Sequence, residues 1–215
     1  MAAEQDTVAV RKVMTAAPVI PVLTIERVED AVPLAQALVD GGLPSIEITL
    51  RTDAALEAIR LVAAEVEGAI PGAGTVLTPT QVAECEAAGC QFLVSPGASN
   101  QLLDAVAHHS VPLLPGAATA SEAMALGERG YECLKFFPAG PAGGPSYLKG
   151  LAGPLPQFTF CPTGGVSQSN AADYLALPNV ACVGGSWVAP KKLIDAKAWN
   201  EITALAADAA KIAAG

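Results

Sequence analysis

Histidine and cysteine are scarce in this 215-residue sequence, and their scarcity excludes several kinds of metal and disulfide chemistry. The two histidines, His108 and His109, are adjacent and would diverge on a helix, so a three-histidine zinc site is impossible. The five cysteines, at positions 85, 90, 133, 161 and 182, form no C-x-x-C pair. An odd, scattered set argues against a disulfide framework and a zinc ribbon. We expect these cysteines to be small core residues, and we expect no metal and no cofactor.

Positive charge and long apolar runs are also in short supply. Lys and Arg number 12 against 21 Asp and Glu, and the net charge is −9, with one basic pair at Lys191 and Lys192. This balance argues against a nucleic-acid partner, although a single arginine and local dipoles can still bind an anionic substrate. Apolar residues make up 52% of the chain but occur in short runs, so no membrane span is expected. Residues 1–11 lack a secretory leader, which predicts a cytoplasmic protein.

Short β-branched or apolar runs recur roughly every 20 to 26 residues, with alanine-rich amphipathic segments between them. We predict strands over residues 19–25, 45–50, 69–76, 92–96, 113–117, 133–138, 159–165 and 182–187. Alternating strands and helices require a parallel sheet with right-handed crossovers. Eight such units favour an α/β protein in which residues 1–215 form a single (β/α)₈ TIM barrel.

Helix signals support this pattern. The predicted outer helices cover residues 28–40, 54–67, 80–88, 121–128, 171–177 and 199–214. Thr78 and Pro79 offer an N-cap and a proline at the first helical position. An extra N-terminal helix over 7–16 is expected across the barrel bottom, and the glycine- and proline-rich segment 140–145 is predicted to be a flexible loop.

Lys135 lies in the apolar, aromatic run 133–138, which otherwise predicts a buried strand. Lysine is rarely buried without a partner, because removing its charge from water is costly. A neutral amine avoids much of that cost and is a nucleophile. The alternative is a lysine at a strand end, with a buried stem and an ammonium group that reaches water.

Glu47 and Arg51 belong to another predicted strand end. Period-2 alternation in strand 45–50 separates Glu47 from the isoleucines beside it and points it into the barrel, where a carboxylate must be paired or protonated. Glu47 is therefore either an ion-pair partner of Lys135 or a general acid/base. Arg51 could clamp a substrate carboxylate, or form an exposed salt bridge with Asp53.

Glycines mark three further strand ends. Those in the run Gly72-Ala73-Gly74-Thr75-Val76 allow a ligand to approach the backbone, and the Thr75 hydroxyl can donate to it. Leu77 occupies the third glycine position of a dinucleotide fingerprint, so nicotinamide binding is not expected. One glycine pair is usually only a turn, but pairs after both the seventh and eighth strands favour a phosphate site. The candidate phosphate-binding residues are Gly164, Gly165, Gly184, Gly185 and Ser186.

A series of short motifs runs through nearly the whole chain. They are PVIPV from Pro18, EITLRT from Glu47, GAGTVL from Gly72, SPG from Ser95, KFFPA from Lys135, FCPTGG from Phe160 and VGGSW from Val183. In this order they resemble the 2-keto-3-deoxy-6-phosphogluconate (KDPG) aldolase family, small trimeric class I aldolases of the Entner–Doudoroff pathway.

The resemblance implies a carbon–carbon lyase that cleaves KDPG to pyruvate and glyceraldehyde 3-phosphate, and also 4-hydroxy-2-oxoglutarate (KHG) to pyruvate and glyoxylate. It implies that Lys135 forms the Schiff base and that Glu47 is the acid/base. Arg51 and Thr75 would hold the pyruvate carboxylate, and the glycine pairs with Ser186 would hold the phosphate. The partners implied are a phosphorylated keto acid and two further copies of the chain, as a homotrimer.

Three alternatives remain open from the sequence. The main substrate could be the epimer 2-keto-3-deoxy-6-phosphogalactonate. The chain could instead be a barrel phosphate-sugar isomerase or synthase in which Lys135 is only an electrostatic partner. A non-catalytic sugar-phosphate sensor would keep the glycine pairs without the chemistry.

Overall fold

Strands and helices alternate along residues 7–212, the part of the chain that the computed structural model describes. The strands are β1 (Val19–Leu23), β2 (Ser45–Thr49), β3 (Ile70–Gly74), β4 (Phe92–Val94), β5 (Leu113–Leu114), β6 (Gly116–Ala117), β7 (Cys133–Phe136), β8 (Thr159–Pro162) and β9 (Val183–Gly185). The α-helices are α1 (Thr7–Thr15), α2 (Ala31–Asp40), α3 (Ala55–Glu65), α4 (Pro79–Ala87), α5 (Asn100–Val106), α6 (Ala120–Gly127), α7 (Gly144–Ala152), α8 (Ala171–Leu175), α9 (Lys191–Asp195) and α10 (Trp199–Ala210). A short 3₁₀ helix, Val28–Asp30, precedes α2.

The positions of all eight predicted strands are confirmed, but most strands end two or three residues earlier than predicted. The third strand stops at Gly74 because Thr75 has a left-handed backbone, with φ 61°. The predicted strand 113–117 is divided at Pro115, which has no N–H to donate to a ladder. The Pro115 carbonyl still accepts from the Lys135 N–H at 2.8 Å, so the chain remains hydrogen-bonded to β7 at the break.

Helices are present at all six predicted outer-helix positions, and α4 begins with the predicted capping signal. The Thr78 side chain accepts from the Gln81 N–H in a capping box, with proline following at the first helical position. The prediction missed α5, α7 and α9. The predicted flexible loop at 140–145 is wrong for its last two residues, which form the first turn of α7, and the Gly144 N–H donates to Ala139 O at 2.9 Å. The predicted helix 199–214 ends at Ala210, and residues 213–214 lie outside the described residues.

The strands form two parallel sheets. One has the order β5-β4-β3-β2-β1-β9, and the other has the order β6-β7-β8. Two isolated parallel bridges, Phe160 with Val180 and Thr163 with Gly184, link β8 to the segment that contains β9. The fold is therefore α/β, with parallel strands in a half-barrel sheet, and the carboxyl ends of these strands lie along the same edge. Within residues 7–212, none of the helices combines the length and apolar character needed to cross a membrane.

Buried apolar residues form two clusters. The outer cluster lies between strands and helices and includes Leu23, Ile25 and Leu93. The inner cluster comprises Val10, Val13, Met14, Ile20, Phe92, Val94, Leu114, Cys133, Cys161 and Cys182. All five cysteines are buried, which confirms them as core residues. Residues of α1 share the inner cluster with Ile20, Phe92 and Cys133, which lie at or near the amino ends of β1, β4 and β7.

Candidate active site

Lys135 on β7 and Glu47 on β2 meet inside the fold, although 88 positions separate them in the sequence. Lys135 Nζ lies 3.1 Å from Glu47 Oε1, and the two residues are only 5% and 3% exposed. The interpretation of Lys135 as a lysine whose ammonium reaches water is therefore wrong. Removing one partner of such a pair leaves a buried, unpaired charge at a cost of about 3–5 kcal/mol. Glu47 makes the contact that was expected of an ion-pair partner, and the same contact lets a proton move between the two groups.

Gly74 makes this position of Glu47 possible. Glu47 and Gly72 are register partners on β2 and β3, and the Glu47 side chain extends along the sheet over Gly74. A Cβ on Gly74 would overlap Glu47 Oε1 and lie 2.7 and 2.8 Å from its Cγ and Cδ. Real Cβ atoms do not approach other atoms this closely, so any side chain at position 74 would move Glu47.

Two uncharged residues also lie close to Lys135. The ring centroid of Phe137 lies 5.4 Å from Lys135 Nζ, within range of a cation–π interaction. Cys161 is the register partner of Lys135 on β8. Burial raises the pKa of Cys133, and a hydrogen bond with Cys161 together with burial raises the pKa of Cys182. These thiols therefore stay neutral, and they fill space in the inner cluster without adding charge near the Lys135 amine.

Arg51 and Thr75 lie side by side where β2 and β3 end. Arg51 is exposed, and its Nε donates to Thr75 Oγ1 at 3.2 Å. Among the ion pairs of residues 7–212, Arg51 is not joined to Asp53. A β-branched residue with φ 61° carries backbone strain of about 1–3 kcal/mol, and such strain clusters at functional sites. The hydrogen bond uses one of five guanidinium donors, which leaves a fork suited to a carboxylate.

The two glycine pairs come together at neighbouring strand ends, because the bridge between Thr163 and Gly184 aligns the ends of β8 and β9. Gly164 and Gly165 have φ values of 89° and 80°, which only glycine adopts readily. The Gly164 carbonyl accepts from the Gly140 N–H at 2.8 Å. A Cβ on Gly185 would overlap the Trp187 ring, and Ser186 is exposed beside it. All five predicted phosphate residues thus lie in one place.

Thr163 and Phe137 were not among the site residues predicted from the sequence. Thr163 is 6% exposed and its Oγ1 lies 3.4 Å from Cys161 O, on the same face of β8 as Cys161. Phe137 connects the amine to the glycine pairs, since a Cβ on Gly164 would lie 3.1 Å from Phe137 Cε2. Extending the period-2 alternation from Cys161 would have placed Thr163 on the inner face.

The histidines lie in a structural contact. His109 Nδ1 is 2.6 Å from Glu86 Oε2, and Ser110 also donates to Glu86. The hydrogen bonds from His109 and Ser110 lower the pKa of Glu86 to about 2. Across residues 7–212, no three His, Cys, Asp or Glu side chains are arranged to hold a metal ion.

Comparisons with known proteins match nearly the whole chain. Residues 10–205 fit the sequence model of the family described as KDPG and KHG aldolase. A 2-dehydro-3-deoxy-phosphogluconate aldolase of Dickeya dadantii is 50% identical over 198 residues, which cover 92% of this chain and 93% of that protein. A KHG/KDPG aldolase of Escherichia coli K12 is 49% identical over 197 residues, covering 92% of each chain.

A solved structure of high similarity is the KDPG aldolase of Legionella pneumophila, with pyruvate captured at low pH as a covalent carbinolamine intermediate. It has a TM-score of 0.91 and 46% sequence identity, and the match covers 94% of this chain and 98% of that one.

Proposed function

Because the chain belongs to the KDPG and KHG aldolase family, we propose that it cleaves KDPG to pyruvate and glyceraldehyde 3-phosphate through a Schiff base on Lys135. The protein is a carbon–carbon lyase, as its aldolase relatives are. The observation that carries the proposal is the buried contact of 3.1 Å between Lys135 Nζ and Glu47 Oε1. It places an amine nucleophile and a proton acceptor within hydrogen-bond reach of one another.

The first steps form an iminium ion. A proton passes from the Lys135 ammonium to Glu47, and the uncharged Nζ attacks C2 of the substrate ketone. The C=O electron pair moves to oxygen, and a proton moves from nitrogen to that oxygen to give a carbinolamine. Glu47 then returns its proton to the departing hydroxyl, so that water leaves, the iminium carries the positive charge and Glu47 is a carboxylate.

The iminium is the electron sink for cleavage. Glu47, acting through a water molecule, takes the proton of the C4 hydroxyl, and the electron pair of the broken O–H bond becomes the second C–O bond of the glyceraldehyde 3-phosphate carbonyl. The C3–C4 bond breaks and its electron pair forms an enamine. Glu47 then protonates C3. Water adds to the resulting iminium and gives its proton to the Glu47 carboxylate, and collapse of the neutral carbinolamine, with its hydroxyl proton moving to nitrogen, frees pyruvate and the amine.

The remaining site residues position the two ends of the substrate. Arg51 and Thr75 bind the pyruvyl carboxylate, supported by their mutual contact and by the strained backbone of Thr75. The backbone N–H groups of the glycine pairs, with the Ser186 hydroxyl, bind the phosphate. KHG has the same pyruvyl half, so the amine, the acid/base and the carboxylate clamp serve it equally. The name of the Escherichia coli relative supports this second substrate.

Trapping with pyruvate and sodium borohydride tests the reaction type. We expect a reduced adduct of pyruvate on the peptide that contains Lys135, together with pyruvate release from KDPG. An isomerase or synthase would give no adduct, and a sensor would release no pyruvate above the buffer rate. Comparing kcat/KM for KDPG and for its galactonate epimer decides which of the two is the main substrate.

We further propose that residues 1–215 form one domain, with the two sheets closed into a single (β/α)₈ barrel. The three-stranded sheet is joined to the other through the bridges to Gly184 and Val180, and through the break at Pro115. With β5 and β6 taken as one interrupted strand, the strands number eight. The extra helix α1 would cover the amino end of the barrel, where the Ser45 hydroxyl donates to Val13 O at 2.9 Å.

The assembly and location are also proposals. Family resemblance supports a homotrimer, and sedimentation of the protein as a monomer at working concentration would contradict it. A phosphorylated keto acid carries several charges and does not cross a bilayer unaided, so we place the enzyme in the cytoplasm, where the Entner–Doudoroff pathway supplies KDPG.

Gly74→Ala should lower turnover without removing either reacting group. The added Cβ displaces Glu47 from its position beside Lys135, so we expect kcat for pyruvate release to fall about 10- to 100-fold, part of the usual contribution of an acid/base. Gly150→Ala is the matched control, because a Cβ there meets nothing within 4 Å. Unchanged kcat in Gly74→Ala, with a native melting temperature in both variants, would contradict the positioning role.

A further inference from the structure

We propose that Thr24 determines specificity for the aldehyde half of the substrate, by accepting a hydrogen bond from its C5 hydroxyl. This inference rests on the proposed aldolase function and extends it to a residue outside the motifs that identify the family. Thr24 is the first residue after β1 and is exposed, so a bound substrate can reach it.

Thr24 lies on the strand between the phosphate site and the acid/base. On one side of β1, Pro21 is the register partner of Gly185 on β9. On the other side, Leu23 is the partner of Ile48 on β2, which leaves Thr24 opposite Thr49. A substrate whose phosphate sits at the ends of β8 and β9, and whose reacting carbons lie beside Glu47, passes the carboxyl end of β1.

The Thr24 side chain faces inward. Side chains alternate along a strand, and in β1 Ile20 belongs to the inner cluster whereas Leu23 belongs to the outer one. Position 24 is four residues beyond Ile20, so its side chain points to the same face as that of Ile20. Its contact confirms the direction, since Thr24 Oγ1 lies 3.2 Å from Thr49 Oγ1, and Thr49 is only 1% exposed.

The direction of this hydrogen bond follows from the single proton of each hydroxyl. Thr49 Oγ1 donates to Leu23 O at 2.8 Å, so its proton is already used. Thr24 must therefore be the donor to Thr49, and the lone pairs of the Thr24 oxygen remain able to accept. Thr24 thus donates to Thr49, and Thr49 donates to Leu23 O. Because the Thr24 hydroxyl proton is used in this way, Thr24 Oγ1 can accept a hydrogen bond from an alcohol but has no proton left to donate to an anion.

The C5 hydroxyl is the group that fits. Thr49 lies two residues beyond Glu47 on β2, roughly 6.6 Å further towards the carboxyl end. C2 of the substrate is bonded to Lys135 Nζ, and the proton of the C4 hydroxyl goes to Glu47. The next hydroxyl along the substrate, at C5, lies further from the amine in the direction of the phosphate, and it becomes the C2 hydroxyl of glyceraldehyde 3-phosphate.

The test uses the synthetic direction, in which the aldehyde can be varied while pyruvate is kept. Wild type, Thr24→Val and Thr24→Ser are assayed for addition of pyruvate to glyceraldehyde 3-phosphate and to 3-oxopropyl phosphate, which lacks the hydroxyl. We expect Thr24→Val to lower kcat/KM about 3- to 10-fold for glyceraldehyde 3-phosphate, the effect of one neutral hydrogen bond, and to leave the deoxy aldehyde unchanged. Thr24→Ser should retain the wild-type preference.

Controls separate this inference from the proposed function. Thr80→Val, an exposed substitution on α4, should match wild type with both aldehydes. Borohydride trapping of pyruvate should proceed equally in all variants, because pyruvate has no aldehyde half. An equal loss for both aldehydes in Thr24→Val, or no loss for either, would overturn the role of Thr24. A wild-type protein that fails to trap pyruvate would instead overturn the aldolase itself.

Discussion

Lys135→Met is expected to abolish both pyruvate release from KDPG and the borohydride adduct with pyruvate. Methionine fills a similar volume in the buried site but has no nitrogen to attack C2, so no covalent route remains. We expect turnover to fall by about 10⁴-fold or more, the scale seen when a nucleophile is removed from an enzyme. Steady-state assay of pyruvate and mass spectrometry of the reduced protein measure the two losses directly.

Stability measurements show whether Lys135→Met loses turnover because the nucleophile is missing or because the protein unfolds. Lys135→Met leaves the Glu47 carboxylate buried without its partner, which should destabilise the fold by up to about 3–5 kcal/mol. Adding Glu47→Gln removes that charge and should recover part of the stability, but none of the activity. Lys149→Met, at an exposed lysine on α7, is the matched control and should behave as wild type. Substantial turnover by folded Lys135→Met protein would exclude the Schiff-base mechanism.

The strands could be predicted because each is short, apolar and bounded by glycine, proline or charge. Their ends could not, because they depend on tertiary contacts. Thr75 leaves the strand conformation to meet Arg51, and a β-branched residue gives no local sign of a positive φ. The segment at 140–145 has the composition of a loop, yet its last two residues begin a helix that packs on the core through Leu148 and Leu151.

Much of the site could also be predicted, because parallel strands bring their carboxyl ends to one edge. Polar residues at several strand ends therefore had to converge, whatever their separation along the chain. Alternation placed Glu47 inside, and the structure brings it to Lys135. The part played by Gly74 could not be foreseen, because it depends on which way the Glu47 side chain leans between two strands.

Glu47→Gln should slow the proton transfers of the cycle, including those of adduct formation, but leave the Lys135 nucleophile in place. Glutamine keeps the size and a hydrogen-bonding oxygen near Lys135 but cannot carry a proton from C4 or return one to C3. We expect kcat to fall about 10²- to 10⁴-fold, the usual contribution of a general acid/base, while prolonged borohydride treatment with pyruvate still labels Lys135.

The matched control for Glu47→Gln is Glu67→Gln, at an exposed glutamate, which should leave kcat unchanged. A second readout isolates the C3 step. Exchange of the methyl protons of pyruvate with deuterated water requires the enamine and its reprotonation but no C–C cleavage, so it should slow in parallel with turnover. If Glu47→Gln exchanged these protons at the wild-type rate while cleaving KDPG slowly, another group would have to protonate C3, and Glu47 would act only on the C4 hydroxyl.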